Sequence, residues 1–321
     1  MESSNVSEKE LDMPRLSIVA TLYQSEAYIV EFLDRIQEAA KKCLLNQSDY
    51  EIVLVDDGSK DKSLSICLAE IPKRKNIQII ELSRNFGHHK AMLEGLSQCK
   101  GELVFLIDID LEEEPELLIL FYNEMRKIGA DVVYGVQRSR KGSSFERITG
   151  AIFYRIFNLV SDLRIPENSS TARLMTRQYV DALLCFKEAE VFIGGLWYLA
   201  GFIQHAVHIN KTNTSPTTYT FTRRLEIFAE AILSFSVKPL YILFYFSFFI
   251  SSAMVTMSAY IFIRYIAGIS ALTGWTSLMV VLTLSASLLF ACNSIFALYL
   301  AKIYSEAKRR PRALIRRVYS Y

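Results

Sequence analysis

Leu103-Val104-Phe105-Leu106-Ile107-Asp108-Ile109-Asp110 runs five apolar residues directly into two alternate carboxylates. An apolar run this short reads as a strand buried on both faces, and such strands belong to parallel sheets covered by helices. The chain before it repeats the pattern. Leu16–Leu22, Glu51–Val55 and Ile77–Leu82 read as further strands, and Val132–Val136 follows as a fifth. Between them Glu26–Leu44, Asp61–Glu70, His88–Cys99 and Glu116–Ile128 carry apolar residues at helical spacing. The alternation predicts an α/β fold with a mostly parallel sheet, whose ligands lie beyond the carboxyl ends of the strands.

The residues at those ends are Tyr23, Asp56-Asp57-Gly58-Ser59, Ser83-Arg84-Asn85, Asp108-Ile109-Asp110 and Arg138. Acidic and basic groups thus gather on one rim, a mixture suited to a phosphate-bearing ligand with a metal ion. Alternate residues of an extended segment face the same way, so Asp108 and Asp110 can serve one point. Their hard oxygens suit Mg²⁺ or Mn²⁺, with a substrate diphosphate completing the shell. Solvated loop aspartates are common, but these follow a buried strand and precede Leu111-Glu112-Glu113-Glu114-Pro115-Glu116.

Other classes are excluded. No G-x-G-x-x-G follows the first strand and no G-x-x-x-x-G-K-[ST] occurs, which argues against a dinucleotide dehydrogenase and a P-loop NTPase. The net charge of +2 gives no reason to expect nucleic acid. Cysteines 43, 67, 99, 185 and 292 show no CxxC pairing, in keeping with reduced thiols and no zinc site.

Apolar residues form 51% of the 321, and the C-terminal third raises that mean. Pro239–Ile263 and Tyr265–Ala301 are uncharged and separated only by Arg264. About 20 apolar residues cross a bilayer core, so each run supplies one transmembrane helix. Lys302, Lys308, Arg309, Arg310, Arg312, Arg316 and Arg317 follow the second run. Basic flanks stay cytoplasmic, which puts both termini and the head inside and the Arg264–Trp275 turn outside. Residues 1–14 have no apolar core and are read as a polar tail rather than a signal peptide.

Phe145, Ile148, Ile152, Phe153, Ile156, Phe157 and Val160 fall on one helical face, as do Leu225, Phe228, Ile232, Leu233 and Phe235. Such stripes are most often core, but beside membrane spans they fit the headgroup layer. His88-His89-Lys90 open a helix, where capping or a phosphate contact is a plainer role than catalysis.

Ser17–Glu26, Glu51–Ser59, Leu82–Gly95 and Leu106–Glu116 resemble the head of glycosyltransferase family 2, with its GT-A nucleotide-diphospho-sugar transferase fold. Within it the chain is most similar to the polyisoprenyl-phosphate glycosyltransferases, a likeness that extends through Phe145–Asn158, Arg173-Leu174-Met175, Ser234–Leu240 and Ile303–Pro311. The resemblance implies a metal-dependent, inverting transferase using a nucleotide sugar, UDP-linked by expectation, and a polyprenyl phosphate acceptor in a bacterial inner membrane. It implies that Tyr23, Glu26, Asp56, Asp57, Arg84 and Asp108 serve the nucleotide sugar. Asp108 and Asp110, with Glu112, would hold the metal; Arg138, Arg140 and Arg173 would steady phosphates, Arg138 joining the two aspartates in catalysis. A homo-oligomer is compatible with it. Three positions depart from the family pattern: Gln24 replaces an Asn, Glu112 stands where Gln is common, and Thr171 stands where many relatives carry Asp or Gly.

The implied organisation is a tail (1–14), a GT-A core (15–142), an acceptor region with interfacial helices (143–235), a transmembrane hairpin (236–304, spans 239–263 and 276–301) and a basic cytoplasmic tail (305–321). Two rivals stand beside it: transfer to a hydroxyl of a lipid-linked saccharide, and a catalytically silent membrane scaffold, against which the intact Asp108 and Asp110 argue.

Overall fold

The structure, a computed structural model, describes residues 15–43, 49–137, 169–188, 193–210, 238–267 and 274–320. They form two compact units, a head and a helical unit, and the head takes in the chain from 310 onward as well as the N-terminal part.

The head is built on one eight-stranded sheet of order β7-β5-β6-β4-β1-β2-β3-β8. Its strands are β1 (Leu16–Leu22), β2 (Tyr50–Asp56), β3 (Ile77–Leu82), β4 (Leu103–Asp108), β5 (Val132–Gln137), β6 (Ser169–Thr176), β7 (Gln204–Ile209) and β8 (Ile315–Ser320). Every residue of β1 is buried, as expected of a central strand covered on both faces. β1 runs parallel to β2 and β4, and β2 parallel to β3. β6 is antiparallel to both β4 and β5, so β5 points the same way as β4 and its carboxyl end joins the same rim.

The helices between the strands are α1 (Ile29–Lys42), α2 (Ser63–Glu70), α3 (His88–Gln98) and α4 (Leu117–Ile128). Each lies within the stretch read as helical in the sequence. Two more, α5 (Arg177–Leu184) and α6 (Ile193–Leu199), follow β6. Phe32, Leu33 and Ile36 of α1 and Leu118 and Phe121 of α4 pack into the core with Ile18, Ala20, Ile52, Phe105 and Ile107 of the sheet. α3 covers β1 and β2 through Gly95. A Cβ there would meet Val19 Cγ1 at 2.6 Å and Val55 Cγ2 at 2.8 Å, so only glycine lets this helix sit so close.

The last residues depart from the expected free tail. β8 pairs antiparallel with β3 as the sheet's edge. Glu81 of β3, nearly buried, accepts from Arg316 Nη1 at 2.9 Å and from the Tyr319 hydroxyl at 2.8 Å. Two of the residues counted as basic flank, Arg316 and Arg317, therefore belong to a strand. Their spacing hid it, because an edge strand with one solvated face needs few apolar residues.

The helical unit contains α7 (Lys238–Ile266) and α8 (Trp275–Ala307), of 29 and 33 residues. At 1.5 Å per residue each exceeds the ~30 Å bilayer core. Among the described residues, Leu284–Ala307 meets a length and hydropathy standard for crossing a membrane, while the most apolar part of α7, Leu240–Met254, is shorter. Both amphipathic stripes read from the sequence, 145–160 and 225–235, lie outside the described residues.

Gly95→Ala should lower unfolding free energy by ~1–3 kcal/mol, the usual cost of an overpacked core. Chemical denaturation of a detergent-solubilised preparation would measure it, and an unchanged midpoint would refute the close-approach account.

Candidate active site

Strand register assembles the rim. Leu22 stands opposite Asp56 across β1 and β2, and Thr21 stands opposite Asp108 across β1 and β4. The carboxyl ends of three strands therefore meet around two aspartates.

Asp56 and Asp57 are each only 2% exposed. Asp56 Oδ1 accepts the amide of Ser59 at 3.2 Å, closing the turn after β2. Asp57 reaches across to the turn between β3 and α3, where its two oxygens accept the amides of Phe86 (2.7 Å) and Gly87 (3.0 Å). Gly58, at φ +69°, permits that approach; a Cβ would lie 2.6 Å from the Arg84 carbonyl carbon and the Asn85 nitrogen. Burial raises both carboxyls above their ordinary range; bonds from Ser59, and from Phe86 and Gly87, work in the opposite direction. Asp57 thus acts on the site by shaping the 84–87 turn. Tyr23 and Arg84 are exposed on the rim, Arg84 lying over the Phe86 ring. Glu26 binds the neighbouring loop, accepting the Lys62 amide at 2.9 Å.

The acidic run after β4 is held at three points. Asp110 Oδ1 accepts the amide of Glu112 at 3.0 Å, a local turn that the sequence order permits. Glu113 has no exposed surface and accepts the amides of Ala172 (2.6 Å) and Thr171 (3.3 Å) on β6. Glu116 takes a two-pronged bond from Arg35 of α1, at 2.7 and 3.0 Å. Asp108 and Asp110 are part-buried at the head of this loop, with Glu112 beside them. His88, the first residue of α3, brings Nε2 to 3.1 Å from Asp108 Oδ1, while its Nδ1 lies 3.0 Å from the Thr21 hydroxyl. Burial lowers the histidine's proton affinity, but Asp108, Asp110 and Asp57 outweigh it and raise the pKa.

Among the described residues no three His, Cys, Asp or Glu side chains cluster as a self-sufficient cation cage. The two hard carboxylates Asp108 and Asp110 suit an ion of another kind: Mg²⁺ is commonly held by one or two carboxylates plus substrate phosphate oxygens. The donor set therefore fits a divalent ion shared with a diphosphate.

Arg173 is placed differently from the sequence expectation. It is fully buried on β6, donates to the carbonyls of Ser170 (3.0 Å) and Thr171 (3.2 Å), and packs against Trp197. Burial pulls its pKa down to about 10. It holds β6 from inside and does not stand on the rim. Arg138 and Arg140 lie outside the described residues. Sequence reasoning passed over Thr21 and Glu113, and it read His88 as a cap or phosphate contact rather than as a neighbour of Asp108. Each looks ordinary in its own segment and gains meaning only from a neighbour on another element.

The chain belongs to glycosyl transferase family 2, whose family model matches residues 17–184. It is 40% identical over 305 residues to a glycosyltransferase of Mycobacterium tuberculosis, covering 95% of this chain and 88% of that one. It is 33% identical over 307 residues to the glycosyltransferase YkcC of Bacillus subtilis, covering 94% of each. A third relative is the undecaprenyl-phosphate 4-deoxy-4-formamido-L-arabinose transferase of Pseudomonas fluorescens, 29% identical over 94% of this chain and 89% of that one.

Asp57→Asn keeps the shape of the side chain but offers an NH₂ to one of two backbone donors. It should cost ~1–3 kcal/mol of stability and loosen the 84–87 turn. Faster amide exchange at Phe86 and Gly87 is the expected reading; unchanged exchange would show that the clamp is idle.

Proposed function

We propose that this protein transfers a sugar from a nucleotide-sugar donor, UDP-linked, to the phosphate of a polyprenyl phosphate at the cytoplasmic face of a bacterial inner membrane. The observation that carries this reading is the extent of the likeness to the undecaprenyl-phosphate transferase. The 6% of this chain left out is about 19 residues, fewer than either α7 or α8 contains. The family head and the apolar helices are thus shared together with a lipid-phosphate substrate.

In this reading Tyr23, Arg84 and the Asp56 turn line the nucleotide end of the rim. Asp108 and Asp110, with Glu112 adjacent, would hold Mg²⁺ or Mn²⁺. When bound, the ion neutralises charge on the departing diphosphate. An acceptor phosphate oxygen attacks the anomeric carbon, the bond to the diphosphate breaks on the opposite side, and the configuration inverts. Arg138 and Arg140, close in sequence to an apolar stripe, steady the anions. No general base is needed, since a phosphate monoester has its second pKa near ~6 and is mostly dianionic at neutral pH. That suits Thr171, which offers no carboxylate.

The proposed topology has two crossings. In this reading α7 and α8 cross the membrane once each, and the place of β8 in the head's sheet supports a chain that returns to the side it left. A cysteine placed at Ser270, in a protein freed of its native thiols, should react with an impermeant reagent in intact cells, and one at Ser320 should not. The reverse pattern would overturn the orientation.

Incubating purified enzyme with labelled nucleotide sugars and undecaprenyl phosphate tests the reaction itself. Asp110→Asn should lower transfer at least ~100-fold, equivalent to ~2.7 kcal/mol, and the wild-type rate should fall on the acid side near pH ~6. Full activity in EDTA would remove the metal. Transfer only to a lipid-linked saccharide hydroxyl would replace the acceptor.

A further inference from the structure

The first turn of α3 carries a histidine that the proposed reaction, as described above, does not use. His88 is half exposed, and its ring spans two strands: Nδ1 lies 3.0 Å from Thr21 Oγ1 on β1, and Nε2 lies 3.1 Å from Asp108 Oδ1 at the end of β4. A carboxylate only accepts, so a bond to Asp108 would take its proton from Nε2, and the 3.1 Å separation is within reach of one. The Thr21 hydroxyl both donates and accepts, and so it serves Nδ1 whichever charge the ring carries. Thr21 is 6% exposed and stands opposite Asp108 in the β1–β4 register, so the hydroxyl is a fixed support for the ring.

The backbone beneath His88 is held just as firmly. Asp57 binds the amides of Phe86 and Gly87 immediately before it, and Gly95 seats α3 on β1 and β2 two turns later. The ring is half exposed, and its polar contacts among the described residues run to Thr21 and Asp108. Its contacts point to the carboxylate.

We propose that His88 is a positioning residue: braced by Thr21, it holds one oxygen of Asp108 and thereby turns the carboxylate toward the divalent ion and the donor diphosphate. The inference rests on the proposed metal-assisted transfer. Partners that orient metal-binding side chains typically contribute 10–100-fold to metal affinity. Glutamine at position 88 retains an amide N–H at the reach of Nε2, whereas alanine retains nothing.

Binding of Mn²⁺ to the full-length protein, followed by electron paramagnetic resonance in the absence of donor and again with UDP, tests it. If wild-type protein binds no Mn²⁺ under either condition, the metal reading itself fails. If it binds, His88→Ala should weaken Mn²⁺ about 10–100-fold and His88→Gln should recover most of that loss. Thr21→Val should weaken binding several-fold in the presence of His88 and add nothing in the presence of His88→Ala, the non-additivity expected of residues acting through one another. In turnover, the His88→Ala defect should lie in the metal and donor KM and shrink at saturating Mn²⁺. Unchanged Mn²⁺ affinity with a raised donor KM would overturn the proposal and make His88 a donor contact. Additive losses would overturn the Thr21 brace. Should His88→Ala fail to fold, Thr21→Val decides alone, and full Mn²⁺ affinity in that variant refutes the proposal.

Discussion

The site depends on the parallel register of three strands. Setting Leu22 against Asp56 and Thr21 against Asp108 brings the ends of β1, β2 and β4 level, so that residues scattered over nearly ninety positions share one rim. The register is strongly specified because every side chain of β1 is buried: a slip of one residue would exchange the two faces of a strand that must fit helices on both. Hydrophobic burial thus decides where the carboxylates stand, although no carboxylate contributes to it.

Several acidic residues at or behind that rim are bound to the protein itself. Asp57, Glu113 and Glu116 satisfy donors of the protein itself: two amides before α3, two amides of β6 and the guanidinium of Arg35. A buried carboxylate with both oxygens engaged, as at Asp57 and Glu113, is costly to remove and has little left to offer a ligand. Asp108 and Asp110 are part-buried beside them, Asp110 accepting the Glu112 amide and Asp108 facing His88. One chain of contacts joins Asp57 to Asp108. Asp57 holds the turn that begins α3, α3 presents His88, and His88 meets Asp108, so the residue after β2 is linked to the end of β4 through one short turn of backbone.

Much of this was legible in the chain. Five strands and four helices follow from apolar periodicity, and the pairing of Asp108 with Asp110 follows from their alternation beyond a buried strand. β6, β7 and β8 were not assigned as strands from the residues alone. β8 reads as a basic tail because one of its faces is solvated, and β6 carries Arg173 in its centre, which suggests a surface residue until Trp197 and the carbonyls of Ser170 and Thr171 are seen around it. The expectation of a phosphate contact at Arg173 failed for that reason: sequence shows a charge, and only packing shows that it is enclosed.

By itself, then, the sequence determined the class of fold, the presence of two long apolar segments and the carboxylate pair that ends β4. These are properties of local period and composition, which each segment expresses without reference to the others. The tertiary structure decided which acidic groups are spent on the protein's own amides, which histidine faces the pair, and that the final strand returns to the head. Those outcomes depend on distances between elements far apart in the chain, set by how closely a helix such as α3 can approach the sheet, and no local pattern encodes such a distance.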